Sequence, residues 1–257
     1  MKSSPIKLYQ FWFSHFNEKA RWILDYKGLE YETVTFAPGM HFKGMRAATG
    51  QTSTPVAQIG SEKNNNNEFV VGSGAIGERV DVLGSGPALL PEDAKRRQAV
   101  LEDCTWFDRK IGGLHRRSLF HFLFEHDRGS VAALFGIAQP FARRWFYTLS
   151  MPMLCPVLRK MDQINAETAA QGEANIEAAL ARVAQADAGS GYLHGDAFSL
   201  ADLTAAALLF PVALPPELSF KIPPRARPAL EAWRDRWRDY AGIEWVLRMF
   251  REHRGRR

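Results

Sequence analysis

The sequence predicts an α/β domain followed by an all-α helical domain, and three observations support this fold class. Between residues 6 and 83, short apolar or alternating runs typical of strands are separated by segments with helical spacing. Residues 84–91 (GSGPALLP) are rich in Gly and Pro, as linkers are. Every long segment after them has helical spacing, and none alternates like a strand. We therefore expect domains at residues 1–84 and 92–257, joined by a linker at 85–91.

The first predicted strand and helix meet at Ser14. Residues 6–13 are almost all apolar or aromatic, which predicts a short buried strand. Apolar residues then recur at helical spacing, at Phe16, Ala20, Ile23 and Leu24. A serine at such a junction is typical of an N-cap. Its hydroxyl would also lie beside the free N–H groups of the first helical turn, where negative charge is favoured. Ser14 is thus either a purely structural cap or a residue that faces an anionic group.

The next strands place a Thr-Pro pair in the same domain. Residues 31–36 (YETVTF) alternate and predict a second strand, parallel to the first because a helix connects the two. Residues 38–53 predict a short helix and an irregular turn. Thr54 and Pro55 then open a third strand, at a position where a sheet tolerates proline. Because a residue before proline is biased towards extended backbone, the N–H and C=O of Thr54 could pair with an outside peptide.

A hairpin and a helix complete the α/β domain. The asparagine run at 64–67 separates the third strand from the apolar run at 68–71, and this pattern predicts a hairpin with a polar loop. The second hairpin strand leads into Gly72 and Ser73, and Ser73 would cap the helix that follows.

The second domain is predicted to be helical at 95–111, 119–161, 163–186, 199–212 and 228–253. Ser199 and Asp202 resemble a capping box, ahead of a helix that is apolar nearly all round and therefore belongs at the domain centre. We interpret Trp233, Trp237 and Trp245 as packing residues.

Composition indicates a soluble globular protein, with 46% hydrophobic and 24% charged residues. Lys2 is followed by polar residues and not by an apolar core, so no signal peptide is expected. Cys104 and Cys155 have no metal-type spacing to each other or to histidines, and we interpret both as reduced structural thiols. These features predict a cytoplasmic protein without a metal.

Charge and hydropathy leave two alternatives that the sequence disfavours. The net charge of +5 and the basic residues within 251–257 make nucleic-acid binding one alternative. Against it, no nucleic-acid motif is present, and most helices carry both acidic and basic residues. Residues 130–158 are apolar on both sides of Arg143 and Arg144, but neither half has the length of a membrane span. We expect no nucleic-acid or membrane partner, and we interpret 130–158 as a buried helix pair or a hydrophobic ligand wall.

Three spaced motifs resemble the cytosolic glutathione transferase family, over essentially the whole chain. Residues 14–22 (SHFNEKARW) are similar to its active-site segment, in which a Ser or Cys precedes an Arg by seven residues. Thr54-Pro55 is similar to its cis-proline before the third strand, and residues 72–76 (GSGAI) to its acidic-Ser-x-Ala-Ile element. The capping box at Ser199 matches a family motif in the second domain.

This resemblance implies a thioredoxin-like N-terminal domain that binds glutathione and a helical domain that forms most of a hydrophobic co-substrate pocket. It implies a serine-type transferase active in detoxification and a homodimer. Ser14 would donate a hydrogen bond to the glutathione thiolate, whereas Thr54, Pro55, Gly72 and Ser73 would bind the tripeptide. The partners would be glutathione and an apolar electrophile.

Two features keep a second interpretation open. Gly72 stands where the family usually has Glu or Asp, so a partner for the γ-glutamyl ammonium is missing. Together with the asparagine-rich loop, this is compatible with a non-catalytic ligand-binding or protein-interaction scaffold of the same fold.

A rival tyrosine, Tyr9, lies one residue away from the family's tyrosine position and should face the other side of the sheet. Serine in place of cysteine at position 14 disfavours thiol-disulfide chemistry.

Overall fold

The computed structural model of the protein describes residues 6–60 and 67–255. Lys2, most of the asparagine run and the last two arginines lie outside these ranges. The α/β domain comprises β1 (Ile6–Gln10), α1 (His15–Tyr26), β2 (Tyr31–Thr35), α2 (His41–Thr49), β3 (Val56–Ile59), β4 (Glu68–Val71) and α3 (Ser73–Asp81).

The four strands form one sheet in the order β2-β1-β3-β4. β1 pairs with β2 in parallel, with Ile6 opposite Tyr31, and with β3 antiparallel, with Leu8 opposite Ala57. β3 and β4 form the predicted antiparallel hairpin. This mixed sheet with its crossover helix α1 is a thioredoxin-like arrangement, and it confirms the predicted α/β fold class.

The rest of the described chain is helical, as predicted. It contains α4 (Ala94–Lys110), α5 (Leu114–His126), α6 (Arg128–Phe135), α7 (Phe141–Met161), α8 (Ala166–Ala188), α9 (Leu200–Ala213), α10 (Arg227–Arg234), a 3₁₀ turn (Asp235–Trp237) and α11 (Ala241–His253).

Helix α9 is the centre of this domain, because every one of its residues is buried. The capping box that opens it is present: Asp202 accepts hydrogen bonds from the N–H and the hydroxyl of Ser199. Trp233, Trp237 and Trp245 are buried, which confirms their interpretation as packing residues.

Helix α1 joins the sheet to the helical domain. The Trp22 ring lies 4.4 Å from the Phe250 ring, and its indole N–H donates to the carbonyl of His253. Leu200 packs so closely on Gly77 of α3 that a Cβ added to Gly77 would lie 3.0 Å from the Leu200 side chain. The crossover helix is therefore covered on one side by the sheet and on the other by the helical domain.

Of the two interpretations of residues 130–158, a buried helix pair or a hydrophobic ligand wall, the first is half wrong. Helix α7 buries Tyr147, Met151 and Cys155 and packs against α6, as expected. Its opposite side, however, exposes large apolar residues, among them Leu149 and Met153. Helix α7 is therefore apolar on two sides. One side is buried in the domain, and no described residue covers the other.

Candidate functional site

The turn between β1 and α1 presents the Ser14 hydroxyl at a helix N-terminus. Ser14 has extended backbone, and its Oγ accepts the Asn17 N–H at 3.4 Å, so the predicted N-cap is present. The hydroxyl proton is donated to no other described residue. The cap therefore uses the acceptor of Ser14 and leaves its donor available at the positive end of the α1 dipole.

The conformation of this turn is fixed by Arg21, seven residues further on. From the buried first turns of α1 its guanidinium reaches back and donates to the carbonyls of Phe11 and Trp12, at 3.2 and 3.1 Å. It also hydrogen-bonds the Gln10 side chain and Glu18. The spacing between Ser14 and Arg21 thus has a local cause: two helical turns bring the guanidinium under the strand end.

Glu18 balances this buried cation and ties the turn to distant parts of the chain. Its carboxylate receives hydrogen bonds from Arg21, Ser219 and Arg254. Burial alone would raise the pKa of Glu18, but Arg21, Arg254 and Ser219 hold it at about 2. The charges beneath the Ser14 turn therefore compensate one another and are already paired.

The Thr54-Pro55 turn lies against the Ser14 helix. The Thr54-Pro55 peptide bond is cis, and the Asn17 amide donates to the Thr54 hydroxyl at 3.1 Å. The other amide atom of Asn17, Oδ1, is buried and makes no hydrogen bond among the described residues. Asn17 was not singled out from the sequence; only its partner across the fold gives it a place in the site.

Gly72 and Ser73 adjoin the same turn. The Gly72 N–H donates to the carbonyl of Pro55 at 2.9 Å. Gly72 is the N-cap residue of α3, and Ser73, which was predicted to cap this helix, is its first residue and is buried. The free N–H groups of the first turn of α3 are suited to a carboxylate. The structure thus brings together all five predicted residues: Ser14, Thr54, Pro55, Gly72 and Ser73.

A carboxylate of the helical domain also reaches the start of α3. Asp108 Oδ2 lies 3.5 Å from the point that a Cβ on Gly74 would occupy. Asp108 is partly exposed, and both its oxygens accept from the buried Lys19 ammonium at 3.0 Å. No pattern near residue 108 indicates this placement, because it depends on how α4 packs beside α1.

At the other end of the Thr54 turn, α2 contributes positive charge. An open cavity of about 700 Å³ is lined by Phe42, Lys43, Arg46, Ala47 and Thr52. Its two cations make no ion pair with a described carboxylate. The cavity is therefore suited to an anionic group.

Aromatic side chains border the Ser14 turn on the side of the helical domain. The Phe13 ring packs edge-on against Phe210 of α9 and Phe220, at 5.8 and 6.1 Å. Trp12 lies 6.5 Å from Phe220. An apolar wall thus begins one residue from Ser14, and the helical domain supplies part of it.

The histidine next to Ser14 is directed towards the helical domain, where it contacts Gly112. His15 donates from Nε2 to the Gly112 carbonyl at 2.6 Å and lies 4.5 Å from the His115 ring. Burial, with the nearby His115 and Arg116, holds the pKa of His15 well below its ordinary value. Burial likewise lowers the pKa of His115 to about 4. Both rings are therefore in the neutral form near pH 7, and both donate to backbone carbonyls, His15 to Gly112 and His115 to Ile111.

The cysteines are free and buried, in agreement with their interpretation as structural thiols. Burial raises the pKa of Cys104 to about 11, and burial also raises the pKa of Cys155. Neither is therefore an activated thiolate. Among the described residues, no group of three His, Cys, Asp or Glu side chains is placed to hold a metal. No described helix is long and apolar enough to cross a bilayer.

Two family profiles match the sequence: "Glutathione S-transferase, N-terminal domain" over residues 8–88 and "Glutathione S-transferase, C-terminal domain" over residues 166–236. No curated protein matches it at a significant level.

Solved structures match nearly the whole chain at low identity. The β-etherase LigF from Sphingobium sp. strain SYK-6 is 19% identical, with a TM-score of 0.60, covering 95% of this chain and 99% of that one. A glutathione S-transferase of Ceriporiopsis subvermispora, solved in complex with glutathione, is 16% identical, with a TM-score of 0.58 and coverage of 97% and 98%. FzlA from C. crescentus is 18% identical, with a TM-score of 0.57 and coverage of 95% and 92%. At these identities the similarity shows the fold.

Proposed function

We propose that this chain, which belongs to the glutathione S-transferase family, transfers the thiolate of glutathione to an apolar electrophile. The observation that carries this proposal is the hydrogen-bonded series from Ser14 through Asn17 and Thr54-Pro55 to Gly72. This series links a hydroxyl whose proton no described residue accepts, a cis-proline turn and a helix N-terminus through hydrogen bonds.

Ser14 is proposed to stabilise the thiolate of the bound tripeptide. A free thiol has a pKa of about 8.5 and is mostly protonated near pH 7. The Ser14 O–H and the N-terminus of α1 both favour a negative sulfur over a neutral one. Each unit by which they lower the thiol pKa corresponds to about 1.4 kcal/mol of preference for the thiolate. Ser14 thus acts as a donor and not as a covalent nucleophile.

The rest of glutathione is proposed to lie along the Thr54-Pro55 turn. The Thr54 backbone would pair with the cysteinyl residue, and the first turn of α3 at Ser73 would receive the γ-glutamyl carboxylate. Lys43 and Arg46 are placed to attract the glycyl carboxylate, because they line the cavity beside Thr52. The apolar wall that starts at Phe13 supports an apolar electrophile next to the sulfur.

Asp108 is proposed to replace the carboxylate that Gly72 lacks. It reaches the start of α3, and a carboxylate there could bind the γ-glutamyl ammonium by a charge-assisted hydrogen bond.

The family resemblance further supports a cytoplasmic homodimer. Sedimentation of the purified protein would test the dimer.

The first experiment compares Ser14→Ala with Ser14→Thr, which keeps a hydroxyl. Ultraviolet thiolate absorbance titrated with bound glutathione should show a midpoint higher by about one pH unit in Ser14→Ala. Conjugation near neutral pH should fall by about tenfold, and Ser14→Thr should recover part of both effects. An unchanged midpoint and rate in Ser14→Ala would remove Ser14 from the mechanism.

The second experiment separates recognition by Asp108 from its pairing with Lys19. Asp108→Asn should weaken glutathione binding, but it also leaves the buried Lys19 ammonium unpaired and lowers stability. A glutathione analogue without the γ-glutamyl amino group provides the control. Wild type should bind the analogue more weakly than glutathione, whereas Asp108→Asn should bind both alike. Equal discrimination by both proteins would show that Asp108 is structural only.

One observation favours a second candidate, a binding scaffold without catalysis. Gly72 offers no side chain at the γ-glutamyl end of the site, and an atom added there would meet empty space within 4 Å. A protein that retains apolar ligands but neither binds nor turns over glutathione would establish this alternative. Glutathione-dependent turnover would exclude it.

A further inference from the structure

Helix α7 carries a ridge of large apolar side chains that faces solvent. The ridge has a member at every fourth position: Phe141, Trp145, Leu149, Met153, Val157 and Met161. Each step turns about 40° round the helix axis, so the row winds along α7 and its middle members Trp145, Leu149 and Met153 share one side. Leu149 and Met153 near its middle are 71% and 79% exposed. Soluble proteins seldom leave such an apolar surface exposed to water, so we expect a binding partner to cover this ridge.

The exposure does not result from a helix that is loosely attached. The opposite side of α7 buries Tyr147, Met151 and Cys155. The Tyr147 hydroxyl also donates to the Pro38 carbonyl in the loop after β2. The helix is therefore held in place with its apolar ridge outward. It also lies between the ranges matched by the two family profiles.

The charges on α7 indicate what covers the ridge. The helix has four cations, Arg143, Arg144, Arg159 and Lys160, and no acidic residue. Arg159 pairs with Glu125 of α5, whereas no described carboxylate pairs with Arg143, Arg144 or Lys160. Arg143 donates to the neutral Gln139 side chain, so positive charge without a described carboxylate partner lies near both ends of the ridge, on a chain whose net charge is +5.

A second copy of α7 is a poor complement to this surface. Antiparallel self-pairing would bring Arg143 and Arg144 of one copy towards Lys160 of the other, and parallel pairing would bring each cation towards its own counterpart. Neither arrangement supplies a carboxylate from α7, and like charges facing each other are unfavourable.

We propose that the α7 ridge docks in the plane of an anionic lipid bilayer surface. Trp145, Leu149 and Met153 would enter the boundary between headgroups and acyl chains, while Arg144 and Lys160 contact anionic headgroups. Helices that combine aromatic and aliphatic residues with Lys and Arg bind membranes in this way without spanning them. The proposal departs from the sequence-based expectation of no membrane partner, and it does not depend on the proposed transferase activity.

Vesicle flotation with the full-length protein tests the proposal. The protein should float with vesicles of phosphatidylcholine containing phosphatidylglycerol, and much less with phosphatidylcholine alone. Leu149→Glu should reduce partitioning by at least about tenfold, because it removes apolar contact and adds a repelled charge. Val82→Glu is the matched control: Val82 is also an exposed apolar residue, at the end of α3, and its replacement should leave flotation unchanged.

A second pair of measurements separates charge from apolar contact and from other partners. Arg144→Glu should also weaken flotation by at least about tenfold, and raised salt should weaken binding of the wild type. Thermal unfolding of each variant confirms that it is folded. The proposal is overturned if folded wild-type protein does not float. It is also overturned if sedimentation shows that Leu149→Glu converts a dimer to a monomer while flotation is unchanged, or if flotation is independent of phosphatidylglycerol.

Discussion

At the scale of single residues, Gly72 has a backbone conformation that residues with side chains rarely adopt. Its φ is 91° and its ψ is 144°. The sequence shows only that a carboxylate is absent here, whereas the structure shows that glycine relieves strain at the residue that donates to Pro55. We predict that Gly72→Ala lowers the free energy of unfolding by about 1–3 kcal/mol, although the added methyl group meets no atom.

Chemical denaturation measures this effect, and Gly113→Ala is the matched control. A Cβ on Gly113 would also meet nothing within 4 Å, but Gly113 has a φ of −93°. Its replacement should change stability by less than about 0.5 kcal/mol. Equal effects at both positions would show that the conformation of Gly72 is not strained for alanine.

The residues of the candidate site could be predicted where their positions are set locally. Ser14 follows a strand and precedes a helix, and Thr54 precedes a proline, so short patterns identify both. Asn17 and Asp108 could not be found in this way, because their importance comes from contacts across the fold with Thr54 and with the start of α3. Adjacency in the structure supports the predicted binding residues, but their roles stay predictions.

At the scale of secondary structure elements, the contact between α1 and α5 contains two neutral histidines. His115 donates from Nδ1 to the Ile111 carbonyl, and His15 donates to Gly112. The pKa of both rings is lower in the folded chain than their ordinary value, so the unfolded chain binds these protons first. We predict that the free energy of unfolding falls as the pH drops from about 6.5 to 4, by on the order of 3 kcal/mol for His115.

Urea denaturation across this pH range tests the prediction through its slope. His115→Asn removes the titrating ring and should flatten the dependence, whatever its effect on stability near pH 7. His126→Asn, at an exposed position on the same helix, should keep the wild-type slope. A slope that His115→Asn leaves intact would assign the acid sensitivity to other groups.

The order of the elements could be predicted, but some of their limits and surroundings could not. The strand predicted at 6–13 ends at Gln10, because Arg21 binds the carbonyls of Phe11 and Trp12. The fully apolar α9 was correctly placed at the centre, since no polar side of it could face water. The same reasoning failed for α7, because apolar composition alone does not distinguish a covered face from an exposed one.

At the scale of the whole molecule, Arg254 connects the end of α11 to the first helix. Its guanidinium donates to Glu18 at 2.7 Å and to Asp25 at 2.8 Å, and it is almost fully buried. We predict that Arg254→Met lowers the free energy of unfolding by about 3–5 kcal/mol, because it leaves a buried carboxylate without one of its cations. Arg251→Met is the control in denaturation experiments, since its pair with Glu244 is exposed and should contribute less than about 1 kcal/mol. Equal losses would contradict a special role for the buried contact.

The burial of α1 against the helical domain has a consequence for synthesis on the ribosome. The Trp22 ring packs against Phe250, and Ile23 lies near Leu200. Leu200 and Phe250 are translated roughly 180 and 230 residues after Ile23 and Trp22, which takes about 9–46 s at 5–20 residues per second. During this interval one apolar side of the crossover helix has no native cover. This side of α1 is therefore buried only after α9 and α11 have been made.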